Sequence, residues 1–532
     1  VSGFNLADLF ERVVDELGDE RRALSSGGTG LATTHLTYAQ LEERSNRLAN
    51  HLSHEGVGAE DHVGVHLHNR AEYLECTLAA FKLRAVPINL NHRYTAHELA
   101  HVLREGAMVA VVTEADLRPV VEEAGAGTDG LHAMLACDDD YDAALASSSG
   151  HRPSADGRSG DDLSILFTGG TTGMPKGVMW RHEDLFFAAL GGRGAPRQGI
   201  PALEDPSQAG VWARRGLGID VRMPLCPMMH GLGNWTALTA LLTGGRCVID
   251  RDRSLDAATA LRLASEERVE FLMVIGDAIA RPLVDALRSH PSAYDLSALR
   301  MISSSGAVLS PTVRAELAEL LPEVHVGNRF GSSETAGQGR VLDADGDRGT
   351  KLLVDDDTTV LDDDLRPVVP GTGQVGRLAR KGRIPIGYWN DPERTATTFP
   401  VVDGTRWSVP GDLASVGADG TIDLLGRGTT VINTGGEKVF PEEVESAVKE
   451  HPAVYDALAV GVPDDKFGQQ VTVVISTRAG VDAPGLEDLQ TTCRQRLAGY
   501  KVPRAVVAVP EIRRTAVGKG DYLWALSIAQ GH

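Results

Sequence analysis

Apolar residues recur along this chain with two periods, and the periods alternate. Between Tyr38 and Leu52, Leu41, Leu48 and Leu52 fall at helical spacing; Val63 to Leu67 alternates like a strand, and Tyr73 to Leu83 returns to the helical period. Val109-Ala110-Val111-Val112, Leu272-Met273-Val274-Ile275 and Met301-Ile302-Ser303-Ser304 are further strand-like runs, each followed by a helix-like or turn-rich stretch. This rhythm predicts an α/β fold in which helices flank a layered sheet. Gly- and Pro-rich sequence from Gly191 to Gly218, with Pro196, Pro201 and Pro206, predicts a long irregular surface insertion. Past Arg427-Gly428-Thr429-Thr430 a compact tail predicts a helix over 441–449, strands over 457–462 and 470–477, a helix over 486–497 and a strand over 505–509, a small α/β domain of its own.

With 532 residues the chain exceeds one ordinary core, in keeping with two or more domains. Its 42% hydrophobic and 23% charged residues fit a soluble globular protein, and no apolar run approaches the ~20 residues of a membrane span. A net charge of −21 argues against a nucleic-acid partner, whose binding needs a cationic surface, but leaves room for a small anionic ligand at a local positive site. The five cysteines, Cys76, Cys137, Cys226, Cys247 and Cys493, are far apart and form no CxxC pair, which predicts neither a disulfide framework nor a zinc site and fits a reducing cytoplasm. Val1-Ser2-Gly3-Phe4-Asn5 lacks a basic region followed by an apolar segment, so no secretory signal is expected, and trimming stays open without an initiator Met. The triplets Asp138-Asp139-Asp140, Asp355-Asp356-Asp357 and Asp362-Asp363-Asp364 read as solvated surface loops.

The first chemistry-bearing segment is Thr168-Gly169-Gly170-Thr171-Thr172-Gly173-Met174-Pro175-Lys176-Gly177, directly after the strand-like run Leu163 to Phe167. Its glycines let backbone N–H groups approach an anion, its threonines add donors, and Lys176 supplies a mobile positive charge. The common P-loop needs Gly-Lys-Ser/Thr, whereas Lys176 lies between Pro175 and Gly177, so a different nucleotide family is implied.

The loop resembles the signature of the adenylate-forming superfamily, which comprises acyl-CoA synthetases, the adenylation domains of peptide synthetases and beetle luciferases. Matching segments recur in family order from Leu36-Thr37-Tyr38 to Gly518-Lys519. The resemblance implies a large multi-layer N-terminal domain, with α/β subdomains and a β-barrel-like part, over 1–428, and a small mobile C-terminal α/β domain over 429–532, hinged at Thr429. It assigns the ATP/AMP site to Thr168, Gly169, Gly170, Thr171, Thr172, Gly173 and Lys176, together with Gly306, Ala307, Asn328, Phe330, Gly331, Ser332, Ser333, Asp412 and Arg427. Within Asn328-Arg329-Phe330-Gly331-Ser332-Ser333-Glu334, Phe330 lies against adenine and Glu334 binds the Mg2+ of MgATP. Asp412 of Trp407-Ser408-Val409-Pro410-Gly411-Asp412 accepts from both ribose hydroxyls, and Arg427 contacts ribose and phosphate. Taken alone, Asp412 and Arg427 also read as a surface ion pair.

By the same resemblance the catalytic residues are Lys519, Glu334 and His230, with Lys519 stabilising the transition state of adenylation. Met229, His230, Gly231, Gly233, Trp235, Gly276 and Gly306 fall in the acyl pocket, where the missing side chains of Gly231, Gly233 and Gly276 either leave volume for a broad ligand or serve tight turns. Gly435, Gly436 and Glu437 belong to the loop completing a CoA tunnel. Four positions depart from the family pattern: Gly169 for a serine, Ser333 for a threonine, Pro410 for a threonine and Thr429 for a charged residue.

The function so implied is an acyl-CoA synthetase that uses ATP, Mg2+ and CoA as co-substrate to activate a bulky hydrophobic, polycyclic terpenoid or steroid-like carboxylic acid. Pro87 to Thr95, Val274 to Ala278 and Gly518 to Tyr522 resemble bacterial synthetases for fatty acids and steroid side-chain acids. The alternatives are transfer to a carrier protein, for which no appended carrier domain is visible, a catalytically silent nucleotide-binding protein, and a luciferase-like oxidase. The expected partners are the acid and CoA, with no nucleic acid and no membrane span; a homodimer is left open.

Overall fold

The computed structural model describes all residues except 1–2, 20, 155, 170–174, 307–308, 310, 343–349, 428–431, 440, 479, 514–520 and 532. The alternation of periods is realised as three sheets among the described residues. The chain divides into two compact units: Val1–His92, Leu103–Phe167 and Gly177–Leu425 form one, and Arg93–Val102, Thr168–Lys176 and Gly426–His532 the other.

Local signals set the helices of the first unit. Asn5 caps Leu6–Leu17 by accepting the N–H groups of Ala7 and Asp8, and that helix buries Leu6, Leu9, Phe10 and Val13. Thr37 and Gln40 form a reciprocal capping box at the start of Tyr38–His54, which buries Leu41, Leu48 and Leu52 as their spacing predicts. The seven-stranded sheet runs, in spatial order, Gly387–Tyr388, Pro175–Arg181, Leu163–Gly169, Val86–Asn89, His62–His66, Met108–Glu114 and Ala133–Cys137. The pairings of His62–His66 with Val86–Asn89 and with Met108–Glu114 are parallel, as helical crossovers between strands require. The fifteen-stranded sheet begins in a parallel core, with Val221–Pro224, Phe271–Val274, Met301–Ser304 and His325–Ser332 side by side, and continues through antiparallel strands from Ala336–Val341 to Val401–Val402.

Two expectations change. The stretch from Gly191 to Gly218 is not simply irregular: it holds the helix Ala209–Arg214, which buries Trp212 and Ala213, and two short 3-10 turns at Pro196–Gln198 and Pro206–Gln208. The tryptophan and the alanines supply the apolar face that prolines and glycines masked in the sequence. Two of the acidic triplets are anchored rather than merely solvated, for Asp138 pairs with Arg70 at 2.7 Å, Asp139 with Arg118 at 2.7 Å and Asp355 with Arg380 at 3.0 Å.

In the second unit the tail folds as strands Ile432–Thr434, Glu437–Val439, Val454–Asp464, Gly468–Thr477 and Ala505–Ala508, with helices Pro441–Val448, Leu486–Arg494 and Tyr522–Gln530. The longer elements lie where the pattern predicts them. The short hairpin over 432–439 and the last helix have no counterpart in that reading.

Two buried histidines make the first unit acid-sensitive. His66 places Nδ1 3.0 Å from the Thr113 hydroxyl, and burial pushes it down to about 4. Burial likewise pushes His182 down to about 4, and its Nδ1 already accepts from the Leu6 N–H at 3.3 Å, so a proton there would meet a donor. Unfolded histidine titrates near 6.5, so between about pH 6.5 and 4 the unfolded chain binds protons that the folded chain refuses, and stability falls as pH falls. Each histidine contributes up to about 3 kcal/mol to that loss. Thermal melts from about pH 7 to about 4.5 are expected to show a shallower decline for His182→Gln than for the parent; parallel curves would reject the assignment.

Candidate active site

Two asparagines hold the strand before the phosphate loop and the histidine segment in one place. Asn89, at the end of Val86–Asn89, accepts the Phe167 N–H at 2.7 Å and donates to the carbonyl oxygens of Phe167 at 2.9 Å and Met229 at 2.6 Å. Asn69 donates to the Cys226 carbonyl at 3.1 Å and accepts the Met228 N–H at 2.7 Å. Backbone groups in such a stretch need partners, and each asparagine serves two or more of them. His230 follows as the N-cap residue of helix Gly231–Leu242, half-buried, with no capping bond from its side chain.

Glu334 occupies the turn between His325–Ser332 and Ala336–Val341 and is fixed from three sides. The Tyr388 hydroxyl donates to its Oε1 at 3.1 Å, the Ser408 hydroxyl to its carbonyl oxygen at 2.7 Å, and its own N–H reaches the Ser332 hydroxyl at 3.2 Å. The Trp180 indole N–H donates to the Ser333 carbonyl at 3.0 Å, and its ring meets that of Trp235 edge-on at 5.9 Å. The histidine helix is thereby linked to the Glu334 turn. Gly331 lies against the backbone of Ala336 inside the hairpin, and Phe330 is half-buried against Leu352, Val360 and their neighbours.

Asp412 opens the strand Asp412–Val416 four residues after Ser408 and is 2% exposed, so its carboxylate lies below the surface. Arg427 closes the strand Ile422–Arg427. Asn328 pairs with Ser304 across the parallel sheet. Gly306 takes a φ of 82°, and among the described residues a Cβ there would meet nothing nearer than Ile275 at 3.9 Å. Gly276 starts the helix Gly276–Ser289 at a φ of 50° and donates its N–H to the Ser304 hydroxyl at 3.0 Å.

Gly233 is not a hole left for a ligand. A Cβ there would collide with the Pro227 carbonyl oxygen and stand 2.9 Å from that of Cys226, so the glycine lets the helix pack on the strand-end backbone. Gly231 is similarly occupied, with Leu166 at 2.9 Å and the Trp235 ring at 3.3 Å from such a Cβ. Pocket volume must come from other positions.

In the second unit, Thr168 and Gly169 end the strand Leu163–Gly169 and Lys176 lies in Pro175–Arg181, half-buried. Gly435 and Gly436 form the two-residue turn between Thr434 and Glu437, with φ of 58° and 86°, the type I′ geometry that favours glycine at both positions. Glu437 is buried and pairs with Arg93 at 2.7 Å. Gly170, Thr171, Thr172, Gly173, Ala307, Thr429 and Lys519 lie outside the described residues.

The residues suit a hard cation. No cluster of three or more His, Cys, Asp or Glu side chains that could cage a metal exists among the described residues. Glu334 presents one carboxylate, and magnesium is commonly held by one or two carboxylates together with phosphate oxygens. Five positioning residues, Asn69, Asn89, Trp180, Tyr388 and Ser408, were not singled out from sequence; a polar residue at the end of an apolar strand, as at Asn89, was the only available signal.

The AMP-binding enzyme family matches residues 10–389, and the AMP-binding enzyme C-terminal domain matches residues 443–519. A 3-oxocholest-4-en-26-oate–CoA ligase from Rhodococcus rhodochrous is 43% identical over 548 residues, spanning 98% of this chain and 95% of that protein. A ligase from Mycobacterium marinum named for medium/long-chain fatty acids and 3-oxocholest-4-en-26-oate is 41% identical over 540 residues, spanning 98% and 96%. Among solved structures, an amide bond synthetase from Marinactinospora thermotolerans has a TM-score of 0.78 at 23% identity, covering 98% of this chain and 99% of its own, a likeness of fold.

Proposed function

The chain belongs to the AMP-binding enzymes, and we propose that it is an AMP-forming acyl-CoA synthetase for a bulky apolar carboxylic acid. What carries the reading is the joining of the His230 helix to the Glu334 turn through Trp180 and Trp235, with Ser408 tying the Asp412 segment to the same turn. The relatives named above as CoA ligases for sterol-derived and fatty acids support the substrate class.

Phe330 packs on adenine, Asp412 accepts from the ribose hydroxyls, and Arg427 reaches ribose and phosphate. The loop from Thr168 to Lys176 receives the phosphates. A magnesium ion held by Glu334 would neutralise phosphate charge. His230 orients the acid, one of whose carboxylate oxygens attacks the α-phosphorus of ATP while the bond to pyrophosphate breaks; Lys519 stabilises the charge gathered there. The CoA thiolate, passing Gly435 and Gly436, then attacks the carbonyl carbon, and AMP departs with the bridging oxygen. Pyrophosphate release measured against a panel of carboxylic acids, with and without CoA, tests this. Acid-dependent release with thioester formed from CoA is expected. Release without any thioester would point to a carrier-protein acceptor, and no release with any acid would sink the reading.

The two half-reactions call for two arrangements of the domains 1–428 and 429–532, with Thr429 as the hinge. Thr429→Pro fixes φ there and removes an N–H. It is expected to leave pyrophosphate release within about threefold of the parent while lowering thioester formation roughly a hundredfold. Equal loss of both would remove Thr429 from the hinge.

A further inference from the structure

One face of the parallel core carries three arginines that form no ion pair among the described residues. Arg222 lies across from Phe271 in the register of the sheet and holds its guanidinium 5.0 Å from that ring. Arg329 and Arg340 stand directly opposite one another on His325–Ser332 and Ala336–Val341. Arg222 is half-buried and Arg329 and Arg340 are exposed, and among the described residues none of the three forms an ion pair or a side-chain hydrogen bond, whereas Arg70 and Arg158 are paired with carboxylates. Burial pushes Arg222 down to about 10, with Arg329 adding repulsion against the opposing pull of the Asp220 and Glu270 charges. Arg329 is open to solvent, yet the surrounding protein and then Arg340 pull it below its usual range.

The same face carries His325, in register with Met301, and an apolar stretch with one orphaned hydroxyl. Phe271, Met273, Ile275 and Met301 line it, and Leu232 from the histidine helix packs against them. Ser303, between Met273 and Gly327 in the register, is 1% exposed, and its hydroxyl has no partner. A buried hydroxyl left unpaired costs about 1–3 kcal/mol, a cost that a ligand's polar group would remove. The strand carrying Arg329 ends at the Glu334 turn, and from Ser332 back to His325 the face extends roughly 23 Å.

We propose that this face seats the far end of the acid, and that Arg222, Arg329 and Arg340 hold an oxygen acceptor, carboxylate or carbonyl, that the substrate carries remote from the carboxyl group being activated. The inference rests on the acyl-CoA synthetase reading and narrows it: the preferred acid is apolar along its body and oxygenated at its distal end. Guanidinium groups donate in a fixed fork and cannot shed their protons, so they reward an acceptor and leave an alkyl terminus unrewarded.

The test uses the full chain and three acids of equal length: a plain alkyl acid, its ω-oxo derivative and the α,ω-dicarboxylic acid. The parent is expected to prefer at least one oxygenated acid by kcat/KM, and the arm that wins identifies a carbonyl or a carboxylate as the group read. In the triple variant Arg222→Gln, Arg329→Gln, Arg340→Gln, the ratio of oxygenated to alkyl kcat/KM is expected to fall about ten- to hundredfold. Arg340 is exposed, so Arg340→Gln alone keeps the fold and should still lower the ratio several-fold. An unchanged ratio in Arg340→Gln and in the triple variant, equal loss on all three acids, or a rise in KM for ATP in place of the ratio change would overturn the inference. Thioester from no acid at all would instead overturn the synthetase reading.

Discussion

Replacing Lys519 by alanine is expected to lower acid-dependent ATP–pyrophosphate exchange by about a thousandfold or more, while conversion of a supplied acyl-adenylate to thioester falls by less than about tenfold. In the first half-reaction two anions, a carboxylate and a triphosphate, must meet, and negative charge accumulates between the attacking oxygen and the departing pyrophosphate. A cation placed there acts only on that transition state. When a thiolate attacks the carbonyl of a mixed anhydride, charge gathers on the carbonyl oxygen and the departing AMP and none on pyrophosphate, so a cation placed for pyrophosphate departure has little to stabilise in the second half-reaction. Were Lys519 an ordinary surface lysine, both halves would stay within about twofold of the parent. Equal loss in both halves would instead mean a general role in binding or folding. Lys519→Arg separates charge from geometry, since it keeps the former and spreads it over a planar fork; partial recovery is expected.

Periodicity made much of the fold legible. Runs such as Leu272 to Ile275 became strands because alternate residues serve two different cores, Leu272 and Val274 on one side and Phe271, Met273 and Ile275 on the other. The hairpin around Gly435 and Gly436 escaped because three-residue strands carry too short a pattern to register, although its turn chemistry is plain once the pairing of Thr434 with Glu437 is known. Glycine was the most ambiguous letter. At Gly233 the absence of a side chain admits a neighbouring backbone, whereas at Gly306 no described residue comes closer than Ile275, and only three-dimensional neighbours separate the two. Asn69, Asn89, Tyr388 and Ser408 were silent for a different reason: each is a lone polar residue whose value lies in which distant carbonyl, carboxylate or N–H it reaches. The three unpaired arginines were equally hidden, since a sequence shows charges but not the missing partners.

Asp412→Asn is expected to raise KM for ATP about a hundredfold while moving the melting temperature by only a few degrees. The carboxylate is 2% exposed, and two neighbouring anchors fix the approach to it: the Ser408 hydroxyl bonds the Glu334 carbonyl, and the Val409 N–H bonds the Thr398 carbonyl at 2.8 Å. Pro410 can donate nothing, so the segment offers the ligand one strong acceptor where a threonine would have added a hydroxyl and an N–H. Two ribose hydroxyls need two acceptor oxygens, and charge-assisted bonds of this kind are roughly twice as strong as neutral ones. Asparagine keeps the shape but presents one oxygen and an NH2 group, so one hydroxyl loses its acceptor and the other loses the charge. A role on ribose predicts more than weaker binding. The parent should discriminate strongly between ATP and 2′-deoxy-ATP, and in Asp412→Asn that ratio should shrink toward one, because part of what the deoxy compound lacks has already been removed from the protein. Loss of activity by the same factor with both nucleotides would place Asp412 in support of the fold and away from the ribose.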